Sequence, residues 1–247
     1  MHLLNLILEL KYRQKYFIIN QINITKFKMV YTSIIFDLDG TLLDTLSDIA
    51  DSVNTVLTMN DFPTYPRDSY KVFLGDGLRN LISRSVPIGT GEICIQRCCE
   101  TFTRIYSENW MKNCCPYKGI NTMLSNLSAE GIKLAVLSNK PHTFTCLFVD
   151  HFFPGNMFER VFGQREGVNK KPDPAGALDI AELFQTRPEN ILFVGDSDVD
   201  MQTGRAAGMG TAGVSWGYRN VTELVANNAE IIVNSPLEIV EYVLSAA

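Results

Sequence analysis

Residues 34–43 read IIFDLDGTLL. The apolar run Ile34, Ile35, Phe36 stops at two aspartates one residue apart, and Gly40 and Thr41 follow. A short β-branched and aromatic run bounded by turn residues is the signature of a buried strand. Asp37 and Asp39 then sit at its carboxyl end, where open α/β sheets bind their ligands. The two-residue period of a strand sends both side chains off the same side of the chain. Ionised carboxylates that close repel each other unless a cation or a shared proton lies between them. Aspartates are also common in ordinary strand-to-loop turns, so the stretch acquires its meaning from the rest of the chain.

The chain has 247 residues, 46% of them hydrophobic and 20% charged, which supplies an ordinary globular core. Net charge is −5 with no basic block, so neither nucleic acid nor a membrane is an expected partner. Six cysteines, with no paired CxxC units, read as reduced thiols rather than a zinc site. Cys94 and Cys98 share a helix face, an expected packing position. Residues 1–28 lack Gly and Pro and fit neither a signal peptide nor a transmembrane helix. They are expected to be a dispensable extension ahead of Met29, translated from an early start, or else an amphipathic cover on the body. A cytoplasmic location is expected.

Beyond Asp44 the pattern turns helical. Apolar spacing marks helices at 47–59, 78–86 and 92–111, separated by a two-proline turn and a Gly75-Asp76-Gly77 loop. From residue 117 strands and helices alternate. Strands are predicted at 132–137, 160–163, 190–194, 210–214 and 230–233, with helices between and after them. This alternation predicts a Rossmann-like α/β core with a parallel sheet, formed by residues 29–44 and 114–247, and a helical insertion at 45–113.

Three predicted strands end in polar residues: Asp37 and Asp39, Ser138 and Asn139, and Asp196. A parallel sheet gathers these ends along one edge. The loop at 170–174, KKPDP, adds Lys171. Three carboxylates suit a hard cation such as Mg²⁺. A hydroxyl, an amide and an ammonium suit the oxygens of a phosphoryl group.

Taken together, these motifs resemble the haloacid dehalogenase superfamily, and its phosphatases in particular. Asp37, Asp39 and Thr41 match DxDxT, Ser138 matches the strand-end Ser or Thr, Lys171 matches the KPxP-type lysine, and the run 195–200 matches GDSxxD. The helical insertion is similar to the family's small four-helix cap. GDGL at 75–78 and PYKG at 116–119 look like its phosphoglycolate phosphatase branch.

The resemblance implies a Mg²⁺-dependent phosphatase acting on a small phosphorylated metabolite through an aspartyl-phosphate. Asp37 would be the nucleophile, and Asp39 the acid that protonates the leaving group and then the base that activates water. The metal would be held by Asp37, the backbone carbonyl of Asp39, and Asp196. Ser138 and the backbones of Gly40 and Asn139 would bind phosphoryl oxygens, and Lys171 would offset their charge. Asp198 or Asp200 would orient Lys171 or a metal-bound water. Thr41 is expected chiefly to cap the helix that follows, with a supporting place behind the site residues, Lys170 and Arg79 to be solvated, and Trp216 to be packing. The same motifs also serve phosphosugar mutases of the β-phosphoglucomutase type, pyrophosphatases and nucleotidases. Against a non-catalytic binding module stands the intact set of motifs. A monomer or a dimer fits the sequence equally.

Overall fold

A computed structural model describes residues 31–245; the extension at 1–28 lies outside them. Six strands form one parallel sheet: β1 (Ser33–Phe36), β4 (Lys133–Pro141), β5 (Arg160–Gln164), β6 (Ile191–Gly195), β7 (Gly210–Val214) and β8 (Ile231–Val233), in the order β5-β4-β1-β6-β7-β8. The first described strand, four residues long, is therefore central. The chain winds outward from β1 through β4 to β5, then returns to the other side of β1 with β6. That reversal opens a crevice at the carboxyl edge beside β1.

The two-residue strand period builds both layers. Ile34, Phe36, Leu134, Val136, Leu192 and Val194 face one apolar cluster, while Ile35, Ala135, Leu137, Ile191 and Phe193 face the other. Burial on both faces explains why these strands are continuous apolar runs rather than alternating ones. The first cluster takes in residues of α5 (Ile120–Ala129), α6 (His142–Phe152) and α10 (Pro236–Ser245), and the second those of α7 (Ala175–Phe184). Helix α8 (Asp198–Ala206) packs on the second face through Gly204, where a Cβ would clash with Phe193. The remaining short helix, α9 (Val221–Ala226), follows β7.

Between Leu43–Asp44 (β2) and Cys115–Pro116 (β3) the regular structure is helical: α1 (Leu46–Met59), one 3₁₀ turn, α2 (Tyr70–Phe73), α3 (Leu78–Ser85) and α4 (Glu92–Asn109). β2 and β3 pair antiparallel, Leu43 opposite Pro116 and Asp44 opposite Cys115, so the insert leaves and returns through one two-stranded ribbon. Asp48 locks that ribbon. Its buried carboxylate accepts hydrogen bonds from the backbone N–H groups of Asn113 and Cys114 and from the Asn113 amide, at 2.7–3.0 Å. Charge-assisted bonds of this kind are stronger than neutral ones. α4 buries Cys98, Phe102 and Tyr106, a stripe at four-residue spacing that faces the sheet side of the insert. Cys98 is thus packed as expected, and burial pushes its thiol up to about 11, while Cys94 is half-exposed. No described helix is long and apolar enough to cross a membrane.

Candidate active site

The strand register puts the site together. Phe36 pairs with Val136 on one side and with Val194 on the other. Asp37 is the next residue along its own strand, and Ser138 and Asp196 lie two beyond their partners, so the three end at one edge. Carboxylate oxygens of Asp37, Asp196 and Asp200 lie within 4.8 Å of one another, all buried.

Lys171 enters this cluster from its loop, almost wholly buried, with Nζ 2.8 Å from Asp37 Oδ1 and 2.6 Å from Asp200 Oδ1. Asn139 sets the height of the loop: its side chain accepts from the Lys171 backbone N–H and donates to the Lys171 carbonyl, both at 2.9 Å. The amide that the sequence places among the phosphoryl ligands therefore has its side chain committed to the scaffold. Only its backbone remains for a ligand.

Of the two candidates in the GDSDVD run, the structure puts Asp200 against Lys171. Ser197 is the N-cap of α8 and Asp200 its third residue, and together they form a capping box. Asp200 Oδ2 accepts from the Ser197 hydroxyl at 2.6 Å and from its N–H at 3.1 Å. A local helix-start signal thus fixes the carboxylate that anchors the lysine. Asp198 lies half-exposed on the first turn, outside the carboxylate cluster. Gly195 is required here because a Cβ would fall on Asp200. Gly40 has φ of +85°, and its Cβ would fall on Asp196 Oδ2.

Thr41 differs from expectation. It lies in a turn, no helix begins there, and its hydroxyl donates to Asp196 Oδ1 at 3.4 Å. The next helix starts after Thr45, whose hydroxyl is also turned away from capping; it donates to Asp39 Oδ1 at 2.7 Å. Asp196 takes a further bond from the Tyr218 N–H at 2.7 Å. Trp216, expected only to pack, donates its indole N–H to the Thr41 carbonyl at 3.0 Å. The segment after β7 therefore wraps the site, at the sheet edge where strand ends collect.

Electrostatics follow from this crowding. Burial pushes Asp37 up to about 7, with Asp200 and Asp39 adding to the shift and Lys171 opposing it. Burial, followed by the charges of Asp200 and Asp37, raises Asp196 well above the carboxylate range. Burial alone would lower Lys171, but Asp200 and Asp37 outweigh it and hold the ammonium charged. Buried carboxylates this close accommodate a hard cation, which would relieve both burial and mutual repulsion. Asp37, whose Oδ1 pairs with Lys171, and Asp196, which among the described residues meets only the neutral Thr41 hydroxyl and Tyr218 N–H, fit that role better than Asp200, whose Oδ1 holds the ammonium and whose Oδ2 takes two bonds from Ser197.

Asp39 stands apart from this cluster. Its side chain turns toward the insert, where Lys140 Nζ lies 3.0 and 3.2 Å from its two oxygens. Lys140, absent from the sequence expectations, is 7% exposed. It is also 3.0 Å from the Tyr106 hydroxyl on α4. β4 runs on to Pro141, past the predicted strand end at 137 and with its register to β5 shifting after Leu137, and that extension carries Lys140 into the site. Core and insert are further joined by Asn139 to the Gly75 carbonyl at 2.9 Å, Lys170 to the Asp76 carbonyl at 2.6 Å, and Arg219 to the carbonyls of Lys71 and Leu74 at 2.5 and 3.0 Å. Lys170 is thus more than a solvated neighbour. Arg79, by contrast, pairs with Glu92 on the outer surface.

Residues 34–214 match the family model of haloacid dehalogenase-like hydrolases. The chain is 32% identical to the phosphoglycolate phosphatase of Psychrobacter arcticus over 86% of this chain and 96% of that one. It is 34% identical to that of Aquifex aeolicus over 75% and 85%. A crystal structure of a predicted phosphoglycolate phosphatase from Haemophilus somnus superposes with a TM-score of 0.78 at 26% identity, covering 85% of this chain and 97% of that one. With the acidic sheet edge, the capped GDSDVD helix and the matching core all in one chain, this protein belongs to the haloacid dehalogenase-like hydrolase family.

Proposed function

We propose that the protein is a Mg²⁺-dependent phosphatase that hydrolyses a small phosphomonoester of the 2-phosphoglycolate kind, through an aspartyl-phosphate on Asp37. One observation carries this reading: two carboxylates from one strand end face different partners. Asp37 faces Lys171 and the buried acidic cluster, while Asp39 faces the insert. The names of the relatives above supply the substrate class.

In this reading an Asp37 oxygen forms a bond to phosphorus as the ester P–O bond breaks. Asp39 delivers a proton to the departing alkoxide. Asp39 then takes a proton from water, whose oxygen attacks the acyl-phosphate and frees Asp37 and inorganic phosphate. The Ser138 hydroxyl and the backbone N–H groups of Gly40 and Asn139 hold phosphoryl oxygens, and Lys171 balances charge gathering at Asp37. Thr41 and the Tyr218 N–H orient Asp196, and Asp200 orients Lys171. Asp37, Asp196 and the backbone carbonyl of Asp39 would hold Mg²⁺, which would supply charge that screens the nucleophile from the phosphate. The insert, residues 45–113, acts as a cap that encloses the leaving group and excludes water.

Purified protein is expected to turn over p-nitrophenyl phosphate and 2-phosphoglycolate with Mg²⁺, to stop on chelation, and to stop in Asp37→Asn. Absence of turnover in the wild type, or full turnover in Asp37→Asn, overturns the reading.

A further inference from the structure

The phosphoryl chemistry requires one ammonium, Lys171, yet the cleft buries a second. Lys140 is not needed to balance the nucleophile. It sits on the leaving-group side, against Asp39 and under the insert. Its Nζ touches both oxygens of Asp39 and the Tyr106 hydroxyl and lies 4.9 and 4.4 Å from the ring centroids of Tyr106 and Phe148. Tyr106 carries its hydroxyl into this position from the buried stripe of α4, and burial, with the Asp39 charge adding to it, keeps that hydroxyl protonated. The result is a paired ammonium and hydroxyl, both donors, beside Asp39, the side chain that in the phosphatase reading carries the leaving-group proton.

The rest of the roof offers little to a charged leaving group. Leu74, Leu78, Leu81, Phe102 and Phe144 line the cleft. Two other described cations, Arg219 and Lys71, line it, and each is paired with residues other than Asp39. Arg219 is bonded to two carbonyls of the insert and to Glu223. Lys71 pairs with Asp68 and is 41% exposed at its side chain. Among the described cations of the cleft Lys140 alone adjoins Asp39, which in the phosphatase reading stands next to the ester oxygen and the carbon that carries it.

Resting on the phosphatase reading, we propose that Lys140 and Tyr106 form a carboxylate-binding subsite that selects phosphomonoesters bearing a carboxylate on the carbon attached to the ester oxygen. A desolvated ammonium beside a hydroxyl donor binds a carboxylate by charge-assisted hydrogen bonds. A site built with such donors rejects an analogue that leaves them unpaired far more strongly than it rejects a small change in apolar size. Lys140 is thereby a specificity residue as well as a partner of Asp39, and the two roles separate by measurement.

The test compares kcat/KM for 2-phosphoglycolate with that for ethyl phosphate, which replaces the carboxylate by a methyl group. Wild type is expected to prefer 2-phosphoglycolate by about a hundredfold or more. Lys140→Met lowers both rates, because Asp39 loses its partner, but the preference should fall at least about tenfold, mainly through KM. Lys140→Arg should restore part of it. Tyr106→Phe, which keeps the ring, should lower the preference by a smaller factor and provides the test if Lys140→Met fails to fold. Equal losses on both substrates in Lys140→Met and in Tyr106→Phe overturn the subsite and leave Lys140 as a positioning residue for Asp39. Turnover of ethyl phosphate in the wild type with no preference for 2-phosphoglycolate overturns the subsite and leaves the phosphatase reading intact. No turnover of any phosphomonoester, p-nitrophenyl phosphate included, removes both.

Discussion

Two buried lysines divide this cleft. Lys171 is held wholly by the α/β core, through Asp37, Asp200 and the side chain of Asn139. Lys140 is held across a boundary, by Asp39 on the core and Tyr106 on the insert. The first is built from residues whose positions follow from strand ends and a helix cap. The second exists only when α4 packs down over the sheet edge. This contrast separates two tasks: the core arrangement can handle the phosphoryl group without reference to the insert, whereas the leaving group meets a surface to which both parts contribute.

The largest effect that sharpens this contrast falls on Asp39. Asp39→Asn should slow hydrolysis of an alkyl phosphate by about 10²–10⁴-fold, the usual worth of a positioned acid. It should slow the first phosphoryl transfer from p-nitrophenyl phosphate much less, since p-nitrophenolate leaves without a proton. Burst kinetics with both substrates check this; equal slowing of that step with the two would break the division between nucleophile side and leaving-group side.

Next in size is the cost of opening each lysine. Lys171→Met leaves Asp37 and Asp200 buried without their cation, and breaking a buried pair in this way costs about 3–5 kcal/mol. Lys140→Met should cost less, because the Asp39 side chain is 17% exposed and keeps the Thr45 hydroxyl. Urea unfolding measures both; a larger loss for Lys140→Met would reverse the comparison.

The acidic cluster gives a pH signature. Burial raises Asp37 from the ordinary carboxylate range to about 7. Between those values the folded state binds a proton that the unfolded state has released, so stability falls as pH rises through that window. Asp196 shifts the same way. Metal-free protein should therefore melt lower at pH 7.5 than at pH 5. Mg²⁺ should raise Tm more at pH 7.5, where the carboxylates are ready to bind it. Calorimetry in chelator and in Mg²⁺ decides; a Mg²⁺ effect unchanged in Asp196→Asn would remove Asp196 from the proposed metal site.

The smallest effect concerns the strut beneath Asp39. Thr45→Val removes one hydroxyl that bonds to Asp39 and lies 3.0 Å from the Tyr218 hydroxyl. It should cost about 1 kcal/mol by urea unfolding, with a greater proportional loss in kcat for alkyl phosphates than for p-nitrophenyl phosphate.

The same division explains what the sequence disclosed. The six-strand parallel core was legible because β1, β4 and β6 are apolar runs closed by polar residues, and a parallel sheet leaves such ends one edge to share. Asp37, Ser138 and Asp196 meet there for that reason. Asp200 was legible as one of two candidates to orient Lys171, and the choice stayed open because Asp198 occupies the same short run; the capping box with Ser197 decides it. Thr41 was misread as a cap because a threonine before a helical pattern normally caps; here the chain first makes the β2 ribbon, and the hydroxyl is free to reach Asp196. Lys140, Tyr106 and Tyr218 were missed. Lys140 and Tyr106 meet across the core–insert boundary, and the Tyr218 hydroxyl reaches Thr45, 173 residues away in the chain, where local spacing carries no information.

The measurement that bears most directly on the account is acid-quenched mass mapping of Asp39→Asn incubated with p-nitrophenyl phosphate and Mg²⁺. With a leaving group that needs no acid and no base to activate water, the phosphoryl group should accumulate on the peptide containing Asp37, and on Asp37 within it. Phosphate release without that intermediate, or a phosphoryl group on any other residue, would contradict it.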